Sequence, residues 1–373
     1  MTVQAEPVAL SPSSADQAPA QTRGRIAYQP PLDGIRALAV LAVIAYHLNY
    51  GWAKGGFLGV DVFFVLSGYL ITTLLLREWD TDRHIDLVAF WGRRARRLFP
   101  ALLLVLLAAA LAAVWFTPAD QLARLRGDAI AALLYVANWR FILSGQSYFD
   151  LFNAPSPLRH LWSLAIEEQF YLLWPPIVYV ALRARRSRRV LGLICVVGII
   201  ASAVCMAMLF HANDVSRAYY GTDSRCQTIL VGCLLAVLVE RRRPTARSER
   251  VLRAVGVGSF AVILLSFMVV NAQSSLLFHG GSAAFAVASA GIIAGTSLVT
   301  TGPVRRLLSI TPLRGIGKIS YGLYLWHWPL IVWLTPARLG LGSASTDVVR
   351  VAATFACAIA SYFLVELPIR RRT

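Results

Sequence analysis

The sequence predicts an all-α, polytopic membrane protein of about ten transmembrane helices, with one further re-entrant or interfacial helix. Three observations predict it. Of the 373 residues, 57% are hydrophobic and only 15% charged, against about 25% charged in soluble domains. Apolar stretches long enough to cross a bilayer recur over nearly the whole length, and mean hydropathy is +0.60. The basic residues gather in short loops between those stretches. The length alone would allow two or three soluble domains, but the apolar runs leave no room for one.

The spans are placed near 35–51, 57–76, 98–116, 163–182, 190–210, 226–240, 252–272, 282–300, 319–336 and 347–367. An eleventh apolar stretch, 129–143, is settled by charge. Arg77, Arg83, Arg93, Arg94, Arg96 and Arg97 precede the third span, and Arg183, Arg185, Arg186, Arg188 and Arg189 follow residue 182. Both loops belong on the cytoplasmic side. Two crossings between them satisfy this and three do not, so 129–143, which also holds Asn138, Trp139 and Arg140, is expected to be interfacial or re-entrant.

With ten spans both termini are cytoplasmic, and the chain is expected in the cell membrane. Later basic clusters then also fall inside: Arg241, Arg242 and Arg243, then Arg305, Arg306, Arg314 and Lys318, then Arg370, Arg371 and Arg372. Nine of the 36 Lys and Arg remain outside. The net charge of +17 is therefore a topology signal, and nucleic-acid binding is excluded as its explanation. Residues 1–28, rich in Ala, Pro, Ser and Gln, lack an apolar core behind a basic start. They read as a disordered cytoplasmic tail, not a signal peptide. The five cysteines lie in apolar segments without a CxxC pair and read as buried free thiols. No HExxH-type spacing is present, so no metal is expected.

Ionisable residues inside spans are costly and are functional candidates. Arg36 and His47 share the first span, eleven positions apart, which places them on one helix face about 16 Å apart along the axis. Arg94 and Arg97 are three apart at the start of the third span, a spacing that lets two guanidiniums grip phosphate oxygens; lipid headgroup contact is the alternative. The run 158–171 brings Glu167 and Glu168 into an apolar helix beside Trp162 and Ser163. A carboxylate there can fix the tautomer of a histidine, or serve only as a helix-start charge. Asp61, Ser67, Tyr69, Arg225 and His327 are the other polar groups placed within apolar runs, candidates for substrate contact or for helix packing.

Together these segments resemble the membrane-bound acyltransferase 3 family, relatives of O-antigen and peptidoglycan O-acetyltransferases. The likeness rests on LDGIRALAVLAVIAYH, GVDVFFVLSGYLIT, RRARRLFPA, HLWSLAIEEQFYLLWP, the Asp223-Ser224-Arg225 stretch, ISYGLYLWHWPL and VELPIRR, in order over about residues 30–370. Ser224 stands where relatives often have Thr. The resemblance implies a membrane acyltransferase domain over 29–370. It also implies an O-acyltransferase that moves an acyl group, acetyl above all, from acyl-CoA to a hydroxyl of a carbohydrate. By motif position His47 is the essential histidine, Arg36 its partner, Arg94 and Arg97 the family's R-x-x-R, and Glu167 the acidic residue of the SLxxE stretch. Many relatives continue into an extracytoplasmic SGNH domain, so a separate partner of that type is expected to complete transfer, or the acceptor is reached directly.

The mechanism expected from this puts donor phosphates on Arg94, Arg97 and Arg36 and threads the pantetheine arm through one continuous cavity. His47 is then the general base and Glu167, toward the outer side, orients it. Ser67, Tyr69 or a backbone N–H stabilises the oxyanion, and an acyl-histidine intermediate is the rival route. Asp61, Ser67, Tyr69, Trp162, Ser163, Arg225 and His327 are expected along the substrate path. The alternatives are an acyltransferase acting on a small secondary metabolite such as a macrolide, a transporter or flippase of a glycan or lipid-linked substrate, and a sensor or scaffold.

Overall fold

The computed structural model describes residues 28–146, 149, 155–184, 187–240 and 244–371. The tail before Tyr28 lies outside them, as do Arg185, Arg186, Arg241, Arg242, Arg243 and Arg372 of the expected basic loops.

In chain order the helices are α1 (Pro30–His47), α2 (Gly59–Asp82), α3 (Leu87–Phe116), α4 (Leu122–Leu133), α5 (Ala137–Leu143), α6 (Trp162–Arg183), α7 (Arg188–Met208), α8 (Ser216–Tyr220) and α9 (Thr222–Val239). They continue with α10 (Ala246–Val269), α11 (Ser282–Ser297), α12 (Pro303–Leu308), α13 (Thr311–Lys318), α14 (Ser320–Trp333), α15 (Pro336–Leu339), α16 (Ser343–Ser361) and α17 (Leu367–Arg371). No strand occurs among the described residues.

Among the described residues, seven helical segments are long and apolar enough to cross a membrane: 56–82, 87–116, 188–208, 222–239, 246–269, 277–297 and 343–370. The other three expected spans coincide with α1, α6 and α14. These three hold Arg36 and His47, Glu167 and Glu168, and His327. The chain is an all-α, multi-pass membrane protein.

Local signals explain the boundaries. Pro30 and Pro31 open α1, where a missing N–H costs nothing. Asp86 caps α3 by accepting from the Ala89 N–H at 2.9 Å. Arg83 ends α2 in the left-handed region at φ 52°. The 129–143 stretch is two short helices: α4 ends at Leu133, Tyr135 takes φ 55°, and α5 starts at Ala137. At 1.5 Å per residue neither α4 nor α5 crosses a core of about 30 Å.

Burial separates centre from rim. In the span over 56–82, 78% of the apolar window is buried, against 17% for α10 and for the last span. Among the rim helices, α3 exposes Leu103, Leu107, Leu111 and Val114 at spacings of four, four and three, a stripe suited to lipid. At the centre α2 crosses α9 with almost no room. A Cβ on Gly68 would lie 2.0 Å from the Ile229 carbonyl oxygen, and one on Gly232 would lie 2.0 Å from that of Val65. This is the small-residue contact that lets helix backbones touch.

Candidate active site

The site grows from α1. Arg36 and His47 sit toward its two ends, as the helical spacing requires, and each opens on a different cavity.

Around Arg36 a cavity of about 120 Å³ is lined by Arg94 and Arg97 of α3, Lys318 of α13, Ser67 of α2, and Glu167 and Tyr171 of α6. Arg36 leans on Asp33 at 3.5 Å. Arg94 lies over the rings of Phe90 and Tyr171, 5.6 and 5.7 Å from their centroids. Ser67 Oγ donates to Glu167 Oε1 at 2.8 Å, and Tyr171 Oη donates to Ser67 Oγ at 2.9 Å. Arg93, by contrast, turns away to pair with Glu78 at 3.6 Å. Four cations around one small carboxylate make this a net-positive mouth, suited to a polyanion.

His47 lines the second cavity, of about 500 Å³. With it are Phe116, Asp128, Ser156, Trp328, Trp333, Arg124, Arg338 and Arg350. Two of these arginines are committed to structure. Arg350 donates to the carbonyls of Leu334 and Ile331 at 2.8 and 3.1 Å, and Arg338 donates to that of Trp333 at 3.0 Å. They satisfy the carbonyls at the end of α14, which no helical N–H reaches.

The two cavities share no lining residue, so the single continuous cavity expected from sequence is corrected to two. What divides them is a thin polar layer. Ser163 and Tyr324 line the arginine cavity, and their hydroxyl oxygens are 2.6 Å apart. Tyr324 Oη also donates to the His160 carbonyl at 2.8 Å. Behind Tyr324, one helical turn on, His327 Nδ1 is 2.7 Å from the Tyr324 carbonyl, and its Nε2 is 3.0 Å from His47 Nδ1.

This chain of contacts assigns tautomers. A carbonyl only accepts, so His327 Nδ1 donates to Tyr324. In a neutral ring His327 Nε2 is then an acceptor, and His47 Nδ1 must carry the proton it receives. The lone pair of neutral His47 is thereby placed on Nε2. The rings of His47 and His327 are 5.0 Å apart, and the His160 ring lies 5.5 Å from that of His327. The side chain within hydrogen-bonding distance of His47 Nδ1 is that of His327. Glu167, expected to orient His47 from the outer side, instead lines the arginine cavity and bonds to Ser67 and Tyr171.

Other expected substrate contacts fall elsewhere. Asp61 and Arg225 line neither cavity. They pair with each other at 2.8 Å, essentially without exposure, and Thr228 and Ser282 donate to the same carboxylate. Trp162 packs on that pair, 5.8 Å from the Arg225 guanidinium. Tyr69 is buried on α2 beside α9. These four tie α2, α6, α9 and α11 together and line neither of the two cavities. Ser67 and Ser163 line the arginine cavity. Three participants were missed in the sequence: His160, Tyr324 and Asp128. Tyr324 lies one turn before His327 on one helix, a spacing that was legible; nothing local marked the other two.

The family described as an acyltransferase domain matches residues 30–366. The peptidoglycan O-acetyltransferase OatA of Listeria monocytogenes is 45% identical over 357 residues, covering 94% of this chain and 57% of that protein. The O-acetyltransferase OatA of Staphylococcus aureus is 40% identical over 350 residues, covering 92% of this chain and 58% of that protein. The chain thus spans little more than half the length of these relatives. No solved structure matches it. With its motifs in order and the family match over nearly its whole length, the chain belongs to the membrane-bound acyltransferase 3 family.

Proposed function

We propose that this chain is an O-acyltransferase that takes an acetyl group from acetyl-CoA on the cytoplasmic side and delivers it to a hydroxyl of a cell-envelope glycan. The observation that carries the proposal is the layer Ser163–Tyr324–His327–His47. It sets a basic imidazole one side chain away from a cavity ringed by Arg36, Arg94, Arg97 and Lys318.

The donor's phosphates bind the guanidiniums of Arg94 and Arg97, with Arg36 behind them. The acetyl end advances between α2 and α14 toward Tyr324, and the Ser163–Tyr324 pair parts to admit it. On the other side His47 Nε2 takes the proton of the acceptor hydroxyl. The oxygen attacks the thioester carbonyl carbon and the C–S bond breaks. The thiolate of CoA leaves and receives the proton that His47 held. His327 keeps His47 in the productive tautomer and supports the imidazolium that forms transiently. The hydroxyls of Ser163 and Tyr324 are placed to donate to the oxyanion. The glycan acceptor is supported by the peptidoglycan and O-acetyltransferase names of the relatives. Where an extracytoplasmic SGNH-type partner works with the chain, that partner's hydroxyl takes the place of the glycan's.

The experiment is binding of acetyl-CoA to the purified chain in lipid nanodiscs, with mass spectrometry of cell-envelope glycans in cells carrying wild-type or His47→Ala. Arg94→Ala with Arg97→Ala weakens donor binding by about tenfold or more, and His47→Ala removes acetyl groups from the glycan while leaving donor binding intact. A wild-type chain that binds no acetyl-CoA, or a glycan profile unchanged by His47→Ala at equal expression, overturns the proposal. The first of these results is the one a transporter would give.

A further inference from the structure

One buried carboxylate belongs to neither the histidine pair nor the arginine cluster. Asp128, on α4, is fully buried and lines the histidine cavity. Its Oδ1 accepts from Arg140 Nε at 3.1 Å, and its Oδ2 has no hydrogen-bond partner among the described residues. A buried carboxylate oxygen without a donor is costly and calls for an explanation.

The placement is built, not incidental. The break at Tyr135 folds α5 back so that Arg140 reaches Asp128. Gly127 makes room for it: a Cβ there would lie 2.5 Å from Arg140 Nη2. Aromatic rings line the same cavity as Asp128. Phe116 and Trp333 stack at 6.4 Å and 20°, and Trp328 lies 4.7 Å from His47.

We infer that the histidine cavity is a subsite for a sugar ring, in which Asp128 Oδ2 accepts a hydrogen bond from a hydroxyl neighbouring the one that is acylated. The C–H face of the ring lies on Trp333, whose π-face carries negative charge density. An ionised carboxylate accepts only, so the position beside Oδ2 takes a hydroxyl donor and not a phosphate oxygen. Arg124, Arg338 and Arg350 also line the cavity, so this selection is local to Oδ2. A volume of about 500 Å³ is within the usual range for small-ligand sites. The inference rests on the acyltransferase reading for its choice of acceptor, but binding is measured without turnover.

The test uses the full chain in nanodiscs and a β-1,4-linked pentamer of N-acetylglucosamine as probe, followed by quenching of tryptophan fluorescence. The wild-type chain binds the pentamer saturably. Asp128→Asn weakens binding at least tenfold, about 1.4 kcal/mol, while acetyl-CoA binding stays unchanged. Val332→Trp fills the cavity from α14, away from the Asp128–Arg140 pair, and abolishes pentamer binding even if Asp128→Asn folds poorly. No saturable binding by the wild-type chain overturns the inference. So does wild-type affinity in a folded Asp128→Asn, or in Val332→Trp. Release of CoA from acetyl-CoA is followed separately. Its absence alongside pentamer binding sinks the acyltransferase reading and leaves the sugar subsite standing.

Discussion

At the arginine end of the bundle, four cations surround about 120 Å³ and one carboxylate held by Ser67 and Tyr171. At the histidine end, about 500 Å³ is walled by Phe116, Trp328 and Trp333, with Asp128 and His47 among its polar groups. The first is charged and narrow. The second is broader and aromatic, and two of its three guanidiniums are tied to helix carbonyls. The difference teaches a division of labour. The same helix, α1, serves both ends: the cluster of Arg36, Arg94, Arg97 and Lys318 lies on one side of Tyr324 and His47 on the other. A base placed among those four cations would be held from protonation and crowded by phosphate.

The comparison breaks first at His47. His47→Ala is expected to lower acetyl transfer by about 10²–10⁴-fold, the range for loss of a general base, with donor affinity unchanged, as read by CoA release and by acetyl-CoA binding. An equal loss of donor binding would mean the two ends are not separate. Next comes the support between the ends. Asp61→Ala leaves Arg225 buried without its carboxylate, which costs about 3–5 kcal/mol; thermal unfolding in detergent should show it, without a selective effect on either substrate. Arg94→Ala with Arg97→Ala should raise the donor concentration for half-saturation by about 10-fold or more and leave sugar binding alone.

The smallest effect sharpens the comparison most. Glu167→Gln should shift the donor dependence by less than about tenfold, because Glu167 bonds within the arginine cavity. Its acceptor dependence, measured in the same assay, should stay at the wild-type value. A loss as deep as that of His47→Ala would restore Glu167 as the residue orienting the histidine and remove that role from His327.

Much was legible in the chain itself. All ten predicted spans coincide with helices, because a stretch of apolar residues in a bilayer has helix as its simplest way to satisfy its backbone. The 129–143 stretch was rejected as a crossing on charge alone, and the break at Tyr135 shows why it cannot cross. Arg36 and His47 were linked by helical spacing, and Arg94 and Arg97 by their three-residue interval, since one helix fixes such distances.

What the tertiary structure decided is how different helices meet. That His47 answers to His327, that Glu167 answers to Ser67, that Asp61 is consumed by Arg225, and that one cavity is two all depend on contacts between residues up to 280 positions apart. A sequence shows which polar groups a membrane must tolerate, because burial of each is costly wherever it lands. It does not show which partner offsets that cost, because the pairing is set by side-chain packing between helices, as at the Gly68–Gly232 crossing, and no local pattern encodes that packing.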